Sequence, residues 1–358
     1  MRPQRVGRRR DARSMSHPLR TLGGVSVLSE SGAADTSSRS RDVFLADAQR
    51  HRRELLAHCY RMTGSLHDAE DLVQETYLRA WKAYDNFEGK SSVRTWLYRI
   101  ATNTCLTSLE GRQRRPLPSG LGQPAADPHA DITERTDTAW LEPLPDVHDA
   151  PGDPQTIVGS RESVRLAFIA ALQHLSPRQR AVLVLRDVLQ WKAAEVGEAV
   201  GTSTAAVNSL LQRARAQLDA IGPSQDDVLV APESDEARDL LAKYVNAFES
   251  YDMNALVELF TADSVWEMPP FDTWYSGPRD IVELSRFKCP AEHPGDMRFV
   301  VTTANGQSAA GMYMRNPETG RHEAFQLHVL DIKPGGISHV VAFMDPTLFE
   351  KFGLAPHL

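Results

Sequence analysis

The chain has 358 residues, of which 41% are hydrophobic and 24% charged, and its formal net charge is −7 at pH 7. This length predicts two or three compact units, and no stretch approaches the ~18 apolar residues of a membrane span. The three scattered cysteines show no CxxC or Cys/His metal spacing, which argues against a disulfide framework or a structural metal. We expect a cytoplasmic protein without a metal ion or cofactor and with no membrane partner.

Charge is unevenly distributed along the chain. Residues 1–50 contain ten basic and five acidic side chains, and residues 117–161 contain two and eight. The run Arg8-Arg9-Arg10 is not followed by the apolar core of a signal peptide. Residues 1–44 are therefore predicted to be a disordered basic tail, with Met1 or Met15 as the translation start.

Residues 45–116 are predicted to form a helical domain. In the stretch Asp68–Trp81, one face carries Asp71, Gln74 and Glu75, and the simplest interpretation of such an acidic face is exposure to solvent. The other face is the apolar stripe of a helix that packs on a core. The residues of this stripe are Ala69, Leu72, Val73, Tyr77, Ala80 and Trp81.

A second helix of this domain is predicted to begin near Ser91 or Ser92, either of which can cap it. Arginines beside aromatic residues can stack on unpaired bases, and a basic cluster after the helix can neutralise phosphates. A buried tryptophan and a soluble helix end explain the pattern equally well. The stripe predicted to be buried is Val93, Trp96, Leu97, Ile100 and Ala101. The residues predicted to lie off this stripe are Arg94, Tyr98, Arg99 and Asn103. The basic cluster after the helix is Arg112, Arg114 and Arg115.

Residues 117–161 have the composition of an acidic linker, rich in Pro, Gly, Asp and Ala. Such a segment cannot bury enough apolar surface to fold alone. Trp140 and Leu141 are the side chains through which it could dock on a neighbouring domain.

Residues 162–222 are predicted to be helical. Ser176 followed by Pro177 predicts a capped helix start, and Ala181–Leu189 and Trp191–Val200 predict two short helices. A tight turn at 201–203 then leads into a third helix, as in a helix-turn-helix whose last helix enters the major groove. A three-helix packing unit without DNA is the alternative. The exposed face of the last helix is predicted to present Thr204, Asn208, Ser209, Gln212, Arg213 and Arg215.

The order of these motifs resembles the extracytoplasmic-function sigma factors of the sigma-70 family. The motifs are Asp68-Ala-Glu-Asp-Leu-Val-Gln-Glu75, Val93-Arg-Thr-Trp-Leu-Tyr-Arg-Ile-Ala-Thr-Asn103, a linker, and Leu175-Ser-Pro-Arg-Gln-Arg180 with a helix-turn-helix. The resemblance implies a sigma region 2 bundle at 45–116 that binds core RNA polymerase and the −10 element, and a sigma region 4 helix-turn-helix at 162–222 that binds the −35 element. It also implies that the linker threads toward the polymerase active centre.

The same resemblance assigns roles to residues. It implies that Asp68, Asp71, Gln74 and Glu75 dock on core RNA polymerase. It implies that Arg94, Trp96, Arg99, Asn103, Arg112, Arg114 and Arg115 recognise and melt promoter DNA at the −10 element, and that the exposed face of the last helix reads the −35 element. Asn208 and Leu210 stand where the family commonly carries a Lys and an Arg, which should weaken phosphate anchoring.

The remaining chain is predicted to be an α+β domain at 235–348. Two helical stretches, Leu240–Phe248 and Ala255–Phe260, precede a strand at Val265–Met268 and a helix that opens at Gly277. Turn signals such as Asn305-Gly306 separate four further strands. These strands are predicted at Arg298–Ala304, Ser308–Met314, Ala324–Ile332 and Ile337–Phe343.

This arrangement resembles the SnoaL-like, NTF2-like cone that some sigma factors of this class carry, the actinobacterial sigma-G type among them. That type is indicated in part by the element Trp140–Asp146. The cone fold hosts enzymes and inert modules alike. A pocket could be formed by Trp266, Met268, Phe271, Trp274, Phe325 and His328, with Asp263, Asp272 or His328 as a base if the domain were an isomerase or cyclase.

The sequence thus predicts a multidomain, non-enzymatic sigma factor with two all-α domains and a cone that regulates its activity. An anti-sigma factor and a small ligand of the cone are further possible partners. The alternative is a helix-turn-helix regulator fused to a SnoaL-like enzyme or ligand-sensing domain. The regulator alternative leaves residues 45–116 unexplained.

Overall fold

The structure, a computed structural model, describes Phe44 and residues 47–146, 163–221 and 228–358. The predicted tail before Phe44 and the linker residues 147–161 lie outside the described residues. The described residues from Asp47 onward belong to one compact unit. Among their helices, none combines the length and the apolarity that crossing a membrane requires.

Three helices pack together in the first part of the chain. They are α1 (Arg52–Thr63), α2 (Leu66–Ala83) and α3 (Val93–Ser108), with a short 3-10 turn at Tyr84–Asn86 between the last two. The Oγ of Ser65 accepts the Asp68 N–H at the start of α2, and the Oγ of Ser92 accepts the Thr95 N–H at the start of α3. Each hydroxyl satisfies a backbone donor that the first turn of a helix leaves without a partner.

Two predictions about which side chains these helices bury are wrong. Trp81 of α2 is 42% exposed, and Thr76 is buried in the same helix. On α3, Tyr98 was expected to lie off the buried stripe but is buried, because its hydroxyl donates to Glu54 Oε2 at 3.2 Å. A phenol that has such a partner can lie in a core.

The second group of helices contains the predicted helix-turn-helix. Its members are α4 (Leu166–Leu172), α5 (Pro177–Leu183), α6 (Ala193–Val200) and α7 (Thr204–Ile221), and a π-helical turn at Val184–Val188 follows α5. Ser176 caps α5 as expected, in a reciprocal capping box with Gln179. Gly201 joins α6 to α7 with a φ of 67°, in the left-handed region that glycine adopts without strain.

The last part of the chain is a sheet wrapped on helices. Its elements are α8 (Asp235–Glu249), α9 (Met253–Leu259), β1 (Phe260–Glu267), β2 (Trp274–Ser276), α10 (Pro278–Lys288), β3 (Met297–Ala304), β4 (Gln307–Arg315), β5 (His322–Lys333), β6 (Gly336–Phe343) and α11 (Leu348–Lys351). The strand order is β2-β1-β6-β5-β4-β3, with β1 and β6 parallel and the other neighbours antiparallel. The four predicted C-terminal strands are confirmed, whereas β2 was not predicted.

Two layers cover this sheet. The core on one face joins α8, α9 and α10 to the strands through side chains such as Tyr244, Trp266 and Leu284. On β4, the ring of Tyr313 meets Phe349 of α11 edge to face at 5.0 Å. We call residues 228–358 the cone.

The described part of the predicted linker lies against the cone. The Ala125 N–H donates to Trp274 O at 2.8 Å and the Arg135 N–H donates to Pro270 O at 2.9 Å. Leu141 is fully buried, whereas Trp140 is only half-buried. A segment that cannot fold alone is therefore ordered by hydrogen-bond partners that the cone supplies.

Candidate polymerase and nucleic-acid interfaces

The acidic face of α2 remains largely accessible. Asp71 and Gln74 are exposed, and half-buried Glu75 forms an i, i+4 ion pair with Arg79 at 2.7 Å. The apolar side of α2 packs on α1 and α3 through Leu72 and Val73. These three polar residues therefore line one outward face whose substitution leaves the core of the domain intact.

Asp68, unlike the other three residues predicted to bind core RNA polymerase, is paired with two arginines of the basic cluster. Its Oδ2 accepts from Arg112 Nη1 at 2.8 Å and from Arg115 Nη2 at 2.9 Å. Arg115 also donates to Trp140 O at 2.9 Å, and Arg114 contacts Gly120 O at 3.0 Å and His174. The basic cluster predicted to meet DNA is thus engaged with α2, the linker and the residues after α4.

The residues of α3 that were predicted to melt DNA are split between two environments. Arg94 Nε donates to Glu54 Oε2 at 2.6 Å and its guanidinium lies 5.0 Å from the centroid of the Tyr98 ring. Trp96 is half-buried, with its ring 4.6 Å from that of Phe87. These contacts hold the Arg94 guanidinium against the ring of Tyr98 and the Trp96 ring against that of Phe87.

Farther along α3, the same face packs on the helix-turn-helix. Arg99 forms an ion pair with Glu198 of α6 at 3.4 Å. Asn103 Nδ2 donates to Ala199 O at 3.1 Å. Arg99 and Asn103, both predicted to read the −10 element, are therefore in contact with α6, the helix that precedes the predicted −35-reading helix α7.

The last helix of the helix-turn-helix keeps its predicted face open. Val207, Leu211 and Ala214 of α7 are buried against the other helices. Arg215 forms a two-point ion pair with Asp187, at 2.7 and 2.9 Å. All of the predicted −35-reading residues are exposed: Thr204, Asn208, Ser209, Gln212, Arg213 and Arg215.

The turn residue Asn305 ties three segments together, a role that sequence reasoning missed. Its Oδ1 accepts the Leu144 N–H at 2.8 Å, and its Nδ2 donates to Tyr60 Oη at 2.9 Å and to Val164 O at 2.5 Å. Asn305 is fully buried, and its φ of 57° lies in the left-handed region, which asparagine tolerates. The Asn305-Gly306 pair in the sequence predicts a turn between two strands, but it does not indicate the distant partners of the Asn305 side chain.

A second contact, which we call the clasp, consists of the buried carboxylates Glu267 and Asp331 and the partly buried Arg165 and His339. Arg165 precedes α4 and forms an ion pair with Asp331 of β5 at 3.1 Å, while Glu267 of β1 contacts His339 of β6 at 2.7 Å. Burial alone would lower the pKa of His339, but the nearby carboxylates of Asp331 and Glu267 outweigh it and raise that pKa to about 10. The imidazolium therefore stabilises two buried carboxylates next to the start of α4.

A cavity of about 120 Å³ lies within the cone. Five of the six predicted pocket residues line it, whereas Trp274 does not, because its indole N–H donates outward to Gly122 O at 3.0 Å. Ile132 of the linker is also part of the wall. The lining residues are Ile132, Phe248, Trp266, Met268, Phe271, Leu284, Ser285, Lys288, Cys289, Met312, Phe325, Gln326, His328 and Met344.

The polar groups of this cavity are neutral or engaged. Both ring nitrogens of His328 have partners, Tyr244 Oη at 2.8 Å and Gln326 Oε1 at 2.8 Å. Burial lowers the pKa of His328 to about 3. Asp263 and Asp272 do not line the cavity: Thr261 donates to the exposed Asp263, and Asp272 pairs with Arg135 at 3.5 Å.

Comparison with known families follows the same three parts of the chain. Residues 48–115 match Sigma-70 region 2, residues 165–218 match Sigma-70, region 4, and residues 241–339 match the SnoaL-like domain. The chain thus combines the two DNA-directed regions of a sigma-70 protein with a cone of the SnoaL type. The family predicted from the sequence is confirmed at this level.

Two individual relatives indicate which class of sigma-70 proteins the chain belongs to. The chain is 65% identical over 344 residues to the ECF RNA polymerase sigma factor SigG of Mycobacterium tuberculosis, covering 96% of this chain and 92% of that protein. It is 31% identical over 226 residues to SigJ of the same species, 61% of this chain and 64% of that one. The chain belongs to the ECF RNA polymerase sigma factors.

A solved structure shares the overall architecture. The crystal structure of M. tuberculosis SigJ superimposes with a TM-score of 0.59 at 22% identity, covering 87% of this chain and 100% of that one. At this identity the likeness shows the fold alone. It confirms the predicted fold class of helical sigma domains followed by a cone.

Proposed function

We propose that this sigma factor binds core RNA polymerase through the acidic face of α2 and directs it to promoters through α3 and α7. The observation that carries the polymerase assignment is the outward face formed by Asp71, Gln74 and Glu75 on a helix whose other side is buried. Arg94, Trp96, Arg99 and Asn103 would engage the −10 element, and the open face of α7 the −35 element. Polymerase and promoter contact would place the chain in the cytoplasm.

Binding energy rather than bond chemistry would drive promoter opening. Extruding a base from duplex DNA costs a few kcal/mol of stacking, which stacking on aromatic side chains and hydrogen bonds can offset. The Trp96 ring and the Arg94 guanidinium near the start of α3 offer these two kinds of contact. Asp68, Arg112 and Arg115 would contribute only after their mutual contacts open, and Arg114 only after it leaves Gly120 and His174.

The role we assign to the cone is regulation rather than catalysis. It contacts both sigma regions: Lys351 of α11 reaches Glu70 of α2 at 2.7 Å, and the clasp holds the residue before α4. An enzyme would need a positioned base, whereas the histidine of the cavity is buried, neutral and engaged at both nitrogens. An anti-sigma factor stays a prediction of the sequence alone.

A charge reversal on α2 tests the polymerase assignment. Asp71→Lys combined with Glu75→Lys should abolish binding to core RNA polymerase, because repulsion would replace an electrostatic match. The fold should be retained, because this face of α2 does not belong to the hydrophobic core of the domain. The measurement is co-elution with core polymerase together with run-off transcription.

The matched control is Asp235→Lys combined with Asp239→Lys, which reverses two exposed carboxylates with the same i, i+4 spacing on α8. Full binding by the α2 variant, or equal losses in both variants, would contradict the assignment.

A further inference from the structure

The cavity of the cone is closed on one side by the linker. We call residues 122–135 the strap.

The cavity is too small for most metabolites while the strap is in place. An apolar cavity of roughly 150 Å³ accommodates benzene, and this cavity measures about 120 Å³. Ile132 is the strap residue in its wall, and it packs against the hydrophobic core of the cone. A larger occupant requires Ile132 to leave.

The wall is apolar but contains one donor that lacks an acceptor. Trp266 is 3% exposed, and its indole N–H finds no acceptor among the described residues. A buried donor without a partner costs free energy that a ligand oxygen can recover. The neighbouring histidine is neutral and already satisfied.

The one cation of the lining residues is committed to the strap. Lys288 Nζ donates to His129 O at 3.2 Å and lies 3.8 Å from Asp131 Oδ1. An uncharged occupant therefore suits this wall better than an anion, which would have to compete for Lys288.

The strap is attached mainly by hydrogen bonds and side-chain contacts at the surface of the cone. The backbone N–H groups of Ala125 and Arg135 donate to the cone, and the carbonyl groups of Gly122 and Thr133 accept from Trp274 and Asp272. The ring of His129 meets Phe287 edge to face at 3.9 Å. Phe287 is itself exposed, and the Arg135–Asp272 ion pair is only partly buried. Segments held by few buried contacts open at low free-energy cost.

We propose that the cavity is a binding site for a small, uncharged, largely apolar molecule with one hydrogen-bond acceptor, and that its binding displaces the strap. The acceptor meets the Trp266 N–H while the apolar body fills the space that Ile132 vacates. This deepens the proposed regulatory role and rests on it, since the strap belongs to the segment that joins the two sigma regions.

The test uses the full chain and the uncharged fluorescent ketone Prodan, which exceeds the closed cavity in size and carries a carbonyl acceptor. Saturable binding with a blue-shifted emission is expected. Ile132→Ala should bind Prodan roughly fivefold more tightly, because less of the strap must be moved. Trp266→Phe should bind it about threefold to tenfold more weakly, because one net hydrogen bond is lost.

Val301→Ala is the matched control, since Val301 is an apolar residue of β3 that is 57% exposed. It should leave Prodan binding unchanged. If Trp266→Phe fails to fold, Ile132→Ala still tests the site, because Ile132 lies on the strap and not within the sheet.

Hydrogen exchange measures the displacement. Prodan should accelerate exchange of the Ala125 and Arg135 amides and slow exchange on the strands that line the cavity. Binding without faster strap exchange would overturn the displacement, and tighter binding of decanoate than of Prodan would overturn the uncharged ligand class. No saturable binding by the wild type or by Ile132→Ala would overturn the site itself. Run-off transcription by the wild type reports separately on the sigma function.

Discussion

The two helices that we assign to DNA recognition are in different situations. The face of α3 is occupied by α6 through the Arg99–Glu198 pair and the Asn103 hydrogen bond, whereas the face of α7 is open. Elements centred at −10 and −35 are separated by about 25 base pairs, or roughly 85 Å at 3.4 Å per pair. An 18-residue helix such as α7 is only about 27 Å long. We infer that this closed arrangement must open before both helices can meet one promoter.

Contacts of two kinds maintain the closed arrangement. The contacts between α3 and α6 are partly exposed, and exposed ion pairs contribute ~0–1 kcal/mol. Asn305 and the two carboxylates of the clasp are buried, and their contacts join the cone to both sigma regions. The face of α3 that we assign to DNA recognition is therefore covered by α6, whereas the closed arrangement is held mainly by the contacts of the cone.

Among the substitutions considered, removal of the Asn305 side chain should destabilise the closed arrangement most. Asn305→Gly keeps the left-handed backbone conformation but leaves the Leu144 N–H and the Val164 carbonyl without their partner. Two buried groups at about 2 kcal/mol each predict a loss of about 4 kcal/mol in the free energy of unfolding. Urea denaturation measures it, and increased binding of single-stranded −10 DNA should accompany it.

Asn246→Ala, at an exposed position of α8, is the control. A stability of Asn305→Gly within 1 kcal/mol or so of the wild type would show that this residue does not hold the segments together.

The open helix should respond to a substitution at its own surface. Arg213→Ala should weaken holoenzyme binding to −35 duplex by about 2 kcal/mol if the guanidinium reads a base, and should lower the salt slope by about 0.9 if it neutralises one phosphate. Filter binding at several salt concentrations separates the two cases. Arg238→Ala, on α8, should change neither quantity. An unaffected Arg213→Ala holoenzyme would remove this residue from the interface.

The clasp predicts a response to alkaline pH. Since the pKa of His339 is raised to about 10, its contribution to stability is fully present below pH 6.5 and is lost as pH rises through about 10. The slope of unfolding free energy against pH should approach about 1.4 kcal/mol per pH unit within that window. His339→Gln should flatten this part of the profile, and an identical slope in the variant would mean that other groups are responsible.

Much of this architecture was predictable because it follows from local signals. Helix caps at Ser92 and Ser176 and the strands of the cone depend on nearby residues, and the structure has them. Burial of Tyr98 depends on Glu54, 44 positions earlier in the chain, and exposure of Trp81 depends on what the neighbouring helices leave uncovered. Periodicity within one helix contains no information about such partners.

The candidate sites show the same division. The exposed set of α7 follows from its own stripe, so it could be found from sequence. The engagement of Asp68 with Arg112 and Arg115, the role of Asn305 and the position of Ile132 in the cavity wall all require knowledge of which distant segments meet. An acidic linker composition predicted a segment that cannot fold alone, but not that the cone would order it.

The smallest expected effect gives the most direct test of whether α6 covers α3. Glu198→Ala removes the partner of Arg99 and leaves α6 otherwise intact, because Glu198 is exposed. An exposed pair is worth up to about 1 kcal/mol, so the free sigma factor should bind single-stranded −10 DNA up to about fivefold more tightly. Glu195→Ala on the same helix is the control for net charge, since Glu195 instead accepts the Lys192 N–H. Equal gains in both variants would mean that reduced negative charge, and not release of Arg99, improves binding, and the Arg99–Glu198 pair would then contribute nothing to the covering of α3 by α6.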